Sequence, residues 1–388
     1  MTDSRSVSYT PAFRPATASN HVARKECYLS TPPRATARAA RNWLIGFAAA
    51  ALVAQFLPAL PPQYPRAIAA HIGHWQDNPD RYDTLFVGSS AMLRHADPSL
   101  FDQEMKRHGI DTRSYNAGVE GAGGYEIDAI IENILETKPS ELKRVFIGLE
   151  PYFDYILEKN RFSDREVWWH NLRRTVSASA QFFANEGKSL EQLHWSGLHA
   201  AHFLFRSFRI GEAPKIFKES RRPADHVEGY YRPIAEESAG YLPHVIGGDT
   251  AQMRHERFLY GGSRNVATFK QDLEARIEAL ESRRFEPSDI NAIQRGEYRR
   301  MAEKLEEAGI EVIHIIAPNP FDYTGWLELR DEGVLPRVIA LNDPLAYPEL
   351  YAIENRFDTA HLDRKGSIIY TRIVASEYAA MADARARR

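Results

Sequence analysis

Apolar positions along this chain fall into short unbroken runs and into longer stretches with a spacing of three or four. Leu85, Phe86 and Val87 form the first short run and end at Gly88-Ser89-Ser90, so a strand stopping at a tight turn is expected there. Asp97 and Pro98 then supply an N-cap acid and a proline suited to the first helical position; a helix is expected from there to about Lys106, stopped by Gly109. A second strand is expected over 112–115, followed by a loop holding Gly118, Gly121, Gly123 and Gly124. Ile127, Ile130, Ile131, Ile134 and Leu135 share one face of a helix expected over 125–136. Further along, a strand over 144–149, a helix over 291–308, a strand over 311–317 and a final helix over 367–381 complete the pattern.

Strands separated by helices of this length indicate an α/β fold, with a central parallel sheet covered by helices on both faces in three layers. In such sheets the working residues gather at the carboxyl ends of the strands. Residues 155–285 break the rhythm. They hold Trp168, Trp169, Trp195, Tyr230 and Tyr231 with many Arg and His, and read as a largely helical insertion forming a lid or a binding wall.

The N-terminal 42 residues lack periodicity and read as a disordered tail, with Arg5, Arg14, Arg24, Lys25, Arg34, Arg38 and Arg41 against Asp3 and Glu26. Residues 43–60 are apolar except for Gln55 and as a helix reach roughly 27 Å, enough for a bilayer core. The basic residues precede this stretch, so the positive-inside rule keeps the tail in the cytoplasm and exports the rest. A single inner-membrane anchor is the expectation, with the large domain in the periplasm. A cleaved signal peptide, an organelle transit leader and a buried core helix are the competing readings. Residues 61–80, with Pro61, Pro62 and Pro65, read as a linker, and 81–388 as the folded domain.

Composition narrows the function. The 388 residues are 44% hydrophobic and 26% charged with a net charge of −3, which excludes wholesale disorder and gives no basic field for nucleic acid. The single cysteine, Cys27, excludes an intrachain disulfide and a cysteine-based zinc cluster. His194, His199 and His202 come without a matching carboxylate pattern and read as surface or lid residues. No metal or cofactor is expected.

Three features could carry chemistry. Ser90 follows a strand at a turn, where a nucleophile is exposed near backbone N–H donors; a serine-rich helix cap gives the same sequence. Asp358 and His361 lie three apart, so the carboxylate can orient the imidazole, or each can belong to a plain turn. The glycine loop lacks the spacing of a dinucleotide or phosphate motif and can instead turn its N–H groups toward an oxyanion.

In their chain order, serine after the first strand, glycine loop after the second and Asp-x-x-His before the final helix, the three features resemble the SGNH/GDSL hydrolase superfamily over roughly residues 82–154 and 290–380. Gly88-Ser89-Ser90 stands where that family has Gly-Asp-Ser, and Asn116-Ala117-Gly118-Val119-Glu120-Gly121 is similar to its second block. The resemblance implies a flavodoxin-like α/β/α fold with Ser90 as nucleophile, His361 as base and Asp358 as its orienting acid. It also implies that the Ser90 and Gly121 N–H groups form the oxyanion hole. The third block departs: Gly148-Leu149-Glu150-Pro151 replaces the family's Gly-x-Asn-Asp, and an ionised Glu150 cannot donate. Glu150 then points away or is protonated, or another donor such as Asn319 serves; Asn116 is the further uncertain candidate.

The expectation is an esterase or O-acyltransferase acting on acetyl esters of an envelope or secreted polysaccharide. An architectural similarity to anchored polysaccharide O-acetylation proteins adds a multi-spanning membrane O-acyltransferase as a possible partner. A catalytically weak glycan-binding or scaffold module is the alternative that Glu150 suggests, and a lipid esterase is the third reading.

Overall fold

The computed structural model divides into two units, residues 1–52 and 53–388. It describes six positions between 41 and 52, all helical, and then residues 66–184, 190–209, 233–245, 249–261, 264–282, 290–320 and 324–387. The expected tail and most of the expected anchor, 43–60, lie outside the described residues. Among the described residues no helix is long and apolar enough to cross a membrane.

Five parallel strands, β1 (Thr84–Val87), β2 (Ser114–Asn116), β3 (Arg144–Gly148), β4 (Glu311–Ile316) and β5 (Val338–Ala340), form one sheet in the order 2-1-3-4-5. Because strand side chains alternate, Leu85, Val87, Val145, Ile147 and Val312 enter one core while Phe86, Phe146, Ile313 and Ile315 enter another. The first core is covered by α1 (Arg66–Asp77), α4 (Gly124–Glu136), α10 (Ala292–Glu307) and α11 (Thr324–Asp331). On the other face lie α2 (Ser90–His95), α3 (Pro98–Arg107) and α12 (Arg364–Ala386). The α/β reading with a central parallel sheet therefore stands.

Several boundaries differ from expectation for identifiable reasons. The stretch read as a linker contains α1, because Ile68, Ile72 and Trp75 are fully buried at helical spacing in the first core. Helix α3 has the expected Asp97 cap, whose carboxylate accepts the Leu100 N–H at 3.1 Å. Helix α12 begins three residues earlier than the sequence pattern suggests, because Asp363 caps it by accepting the Gly366 N–H at 2.7 Å. Helix α2 starts where the serine-rich cap reading allows a helix, but its six residues are too few to show a period, so its extent has no sequence signal. Strand β5, only three residues long, was missed for the same reason.

Between β3 and α10 the described residues form α5 (Asp164–Trp169), α6 (Leu172–Ala184), α7 (Leu190–Ser207), α8 (Asp249–Tyr260) and α9 (Val266–Ser282). A buried ionic cluster fastens α6 to the layer beneath. Asp128 of α4 accepts from Arg174 Nε at 2.6 Å, from Arg300 at 2.7 Å and from Arg173. Glu132 pairs with Lys304 at 2.8 Å and with Arg174. Burial alone would raise the Asp128 carboxyl, but the guanidinium groups of Arg174, Arg300 and Arg173 together hold it below its usual value.

A depressed folded value means that the contribution of Asp128 is complete above the unfolded carboxylate value of about 4 and disappears as pH falls through the lower folded value. Acidification below about pH 4 is expected to loosen the insertion, seen as faster proteolysis within 155–285. At neutral pH, Asp128→Ala removes the carboxylate that three arginines share, leaving Arg174 to Glu132 and Arg173 and Arg300 to Glu297, and is expected to cost about 3 kcal/mol in denaturant unfolding.

Candidate active site

Ser90 is the first residue of α2 and lies three positions past Val87, the end of β1. The turn is forced by close packing, since a Cβ on Gly88 would lie 3.2 Å from the Gly148 Cα and 2.9 Å from the Met92 side chain. Ser89 occupies the N-cap, accepting the Ala91 N–H at 3.4 Å. The serine-rich turn is thus a helix cap and also the place where Ser90 emerges, half-buried, at the carboxyl edge of the sheet.

Asp358 and His361 arrive from the loop before α12. Asp358 Oδ1 accepts the backbone N–H of Ala360 at 2.9 Å and of His361 at 2.8 Å, and lies 2.9 Å from His361 Nδ1. A carboxylate only accepts, so the ring proton sits on Nδ1 and Nε2 is left with its lone pair. His361 Nε2 is 2.8 Å from Ser90 Oγ, which donates to it. Burial would raise the Asp358 carboxyl, yet the His361 hydrogen bond and charge, with the Arg254 guanidinium 2.5 Å away, hold it well below the ordinary carboxylate range.

Two buried residues that sequence reading did not single out keep this loop in place. His95 of α2 accepts the Leu362 N–H through Nε2 at 2.9 Å, and its carbonyl accepts the Thr371 hydroxyl at 2.9 Å. Burial keeps His95 well below the usual imidazole value, hence neutral and able to accept. The Arg356 guanidinium donates to the carbonyls of Thr359 at 2.8 Å, Leu350 at 3.0 Å and Pro318 at 3.1 Å. The position of Arg356 two residues before Asp358 was the one available sequence signal.

The glycine loop runs beside the turn, with the Val119 N–H donating to the Gly88 carbonyl at 2.9 Å. Gly121 adopts a φ of +63°, and a Cβ at Gly118 would collide with the Leu93 backbone at 2.4 Å. Asn116 is corrected here. Its amide donates to the Met92 and Ala96 carbonyls at 2.8 Å each and its oxygen accepts the Gly118 N–H at 2.9 Å. Fully buried, it braces α2 against the loop. Asn319 follows β4, and its carbonyl accepts the Tyr351 hydroxyl at 3.4 Å. Glu150 follows β3 and accepts the Ser89 hydroxyl.

From the insertion come His244, stacked on Phe357 with ring centres 4.0 Å apart and edge-on to His361 at 5.1 Å, and the exposed Arg254 of α8. His199 and His202 are fully buried, not surface residues; His202 Nε2 accepts the Phe162 N–H at 3.1 Å. Among the described residues no group of three or more His, Cys, Asp or Glu could hold a metal ion. A small open cleft of about 80 Å³ adjoins Gly121, with Phe153, Tyr155, Asn160 and Glu166 among its walls. Trp169 also lines the cleft, from a core position in which it stacks on Tyr125 at 5.1 Å and on His170 at 3.6 Å.

The comparisons with known proteins add no name. Neither a protein-family model nor a curated protein matches this chain.

The His361–Asp358 contact is expected to give a low-field proton resonance for His361 Nδ1–H. It should persist in Ser90→Ala and vanish in Asp358→Ala, as checked by proton NMR near neutral pH.

Proposed function

We propose that this chain is an SGNH-like serine esterase or O-acyltransferase that acts on acetyl esters of an envelope or secreted polysaccharide. The observation that carries the reading is the unbroken hydrogen-bonded series from Ser90 through His361 to Asp358 at the carboxyl edge of a parallel sheet. The strand order 2-1-3-4-5 is the flavodoxin-like order and supports the finer fold assignment.

Each part then has a task. His361 Nε2 takes the Ser90 proton as Oγ attacks the ester carbonyl, and Asp358 stabilises the imidazolium that forms. The backbone N–H groups of Ser90 and Gly121 receive the oxyanion. His361 returns the proton to the departing alcohol, leaving acetyl on Ser90. Water completes an esterase cycle and a sugar hydroxyl an acyl transfer, by the same base. The cleft beside Gly121, with the half-exposed rings of Phe153 and Tyr155 and the polar Asn160 and Glu166, suits the alcohol portion of a sugar ester.

The setting proposed is a single-pass inner-membrane anchor at residues 43–60 with the domain in the periplasm. A multi-spanning membrane O-acyltransferase is the proposed source of acyl groups in the transferase case. Glu150, in the place of a neutral donor, favours the second reading, a catalytically weak glycan-binding or scaffold module.

The purified full chain is expected to release acetate from a chromogenic acetyl ester with an initial burst, and mass spectrometry should find the acetyl group on Ser90. Ser90→Ala and His361→Ala should each lower turnover at least ~10³-fold. Wild type and both variants behaving alike, with sugar binding retained, would decide for the binding module.

A further inference from the structure

The sheet brings Glu150 to the turn that carries Ser90, with its carboxyl on the neighbouring Ser89 hydroxyl. Strands β1 and β3 are paired in register through Val87 and Ile147, and the next two residues, Gly88 and Gly148, are in backbone contact. Ser90 and Glu150 each stand two positions past that contact. Ser89 Oγ donates to Glu150 Oε1, which ties the carboxyl to the turn that carries Ser90. On the other side the Glu150 carbonyl accepts the Tyr298 hydroxyl at 2.9 Å, and Trp326 Nε1 donates to that hydroxyl at 2.8 Å. The backbone is pinned on one side and the carboxyl on the other. Glu150 therefore does not swing away from the turn.

Among the described residues no ion pair reaches the Glu150 carboxyl. Glu150 is half-buried, and a carboxyl largely withdrawn from water without a cation is stabilised as the neutral acid when something nearby can use its proton. Burial pushes Glu150 up to about 7, with the Ser89 hydrogen bond pulling the other way. This reverses the objection raised by the sequence. An ionised carboxylate has nothing to donate and repels a developing oxyanion, whereas a carboxylic acid donates a strong hydrogen bond.

We propose that Glu150, as a neutral carboxylic acid, donates a hydrogen bond to the oxyanion formed at Ser90. The inference rests on the reading of Ser90 as the nucleophile. Proton traffic still balances: the Ser90 proton goes to His361 and on to the leaving alcohol, while Glu150 keeps its own throughout. The site then loses power on the alkaline side as Glu150 ionises, and on the acid side as the His361 base is protonated. The other groups facing this turn do not supply that loss, since Asp358 is already ionised there and His95 stays neutral.

The test compares kcat/KM for a chromogenic acetyl ester from about pH 6 to pH 9 in the full-length wild type and Glu150→Gln. Wild type is expected to fall about 50-fold between pH 7 and pH 9, the drop in the acid form of a group titrating near 7. Glu150→Gln supplies a weaker donor that does not ionise. It should be slower than wild type at pH 6, level above pH 7 and faster at pH 9, so that the two profiles cross. A wild-type profile level to pH 9, or an alkaline fall retained in Glu150→Gln, overturns the proposal.

A second measurement needs no turnover and no change at Glu150. Carbon NMR of glutamate-labelled protein in a Glu166→Gln background, chosen because burial also pushes Glu166 up to about 7, should show one carboxyl titrating near 7. Its absence overturns the proposal even where Ser90 forms an acyl-enzyme. That titration found in a chain that never acetylates Ser90 would instead overturn the hydrolase reading and leave the neutral acid in place.

Discussion

A hydrogen bond buried away from water, from the Leu362 N–H to His95 Nε2, joins the two halves of the candidate site. Ser90 and His361 are 271 positions apart in the chain, yet their side chains meet at 2.8 Å. His95 shares the short helix that begins at Ser90, and Leu362 follows His361 directly, so one imidazole sets the separation of the Ser90 hydroxyl and the His361 ring. The bond depends on a neutral ring, because a protonated one has no lone pair to offer. The complete burial of His95 supplies that neutrality, and Arg356 and Thr371 then fix the rest of the loop around it.

Much of the fold was legible because hydrophobic periodicity and caps are local properties. The buried run Leu85, Phe86 and Val87, the isoleucine face of α4 and the Asp97-Pro98 start of α3 all read directly. Elements shorter than one or two periods did not, which is why β5 was overlooked, the extent of α2 went unread and α1 was absorbed into a proline-rich linker. Ser90, Asp358 and His361 were legible through the turn and the three-residue spacing that carry them. Asn116 was misread: a polar residue after a strand looks the same in sequence whether it faces a site or braces the loop beneath one. His95 and Arg356 were invisible for the opposite reason. Their importance lies in carbonyls and N–H groups contributed by distant segments, and nothing local marks such partners.

The helices between β3 and α10 are more than an attachment to the sheet. Arg174, buried within the core layer, and Arg173 meet Asp128 and Glu132 of α4, so the inserted segment contributes charge where a smaller domain would carry only apolar packing. Its later part reaches the candidate site, with Arg254 on the free oxygen of Asp358 and His244 edge-on to His361. The orienting carboxylate is thus shared between a loop that follows the sheet and a helix of the insertion. Holding the strands together across so long a connection adds little, because loop-closure entropy grows only with the logarithm of length.

The wide separation of Ser90 from its partners has a consequence for the growing polypeptide. Chains are made and exported from the N-terminal end, and domains form in that order. Strands β1, β2 and β3 can associate early with Ser90 already at their edge, but a serine hydroxyl without an adjacent base is a poor nucleophile. On the proposed hydrolase reading, reactivity arrives only when the segment bearing Asp358 and His361 has emerged and docked on His95. Under that reading the newly made chain carries Ser90 in a dormant state, and folding of the C-terminal segment is what arms it.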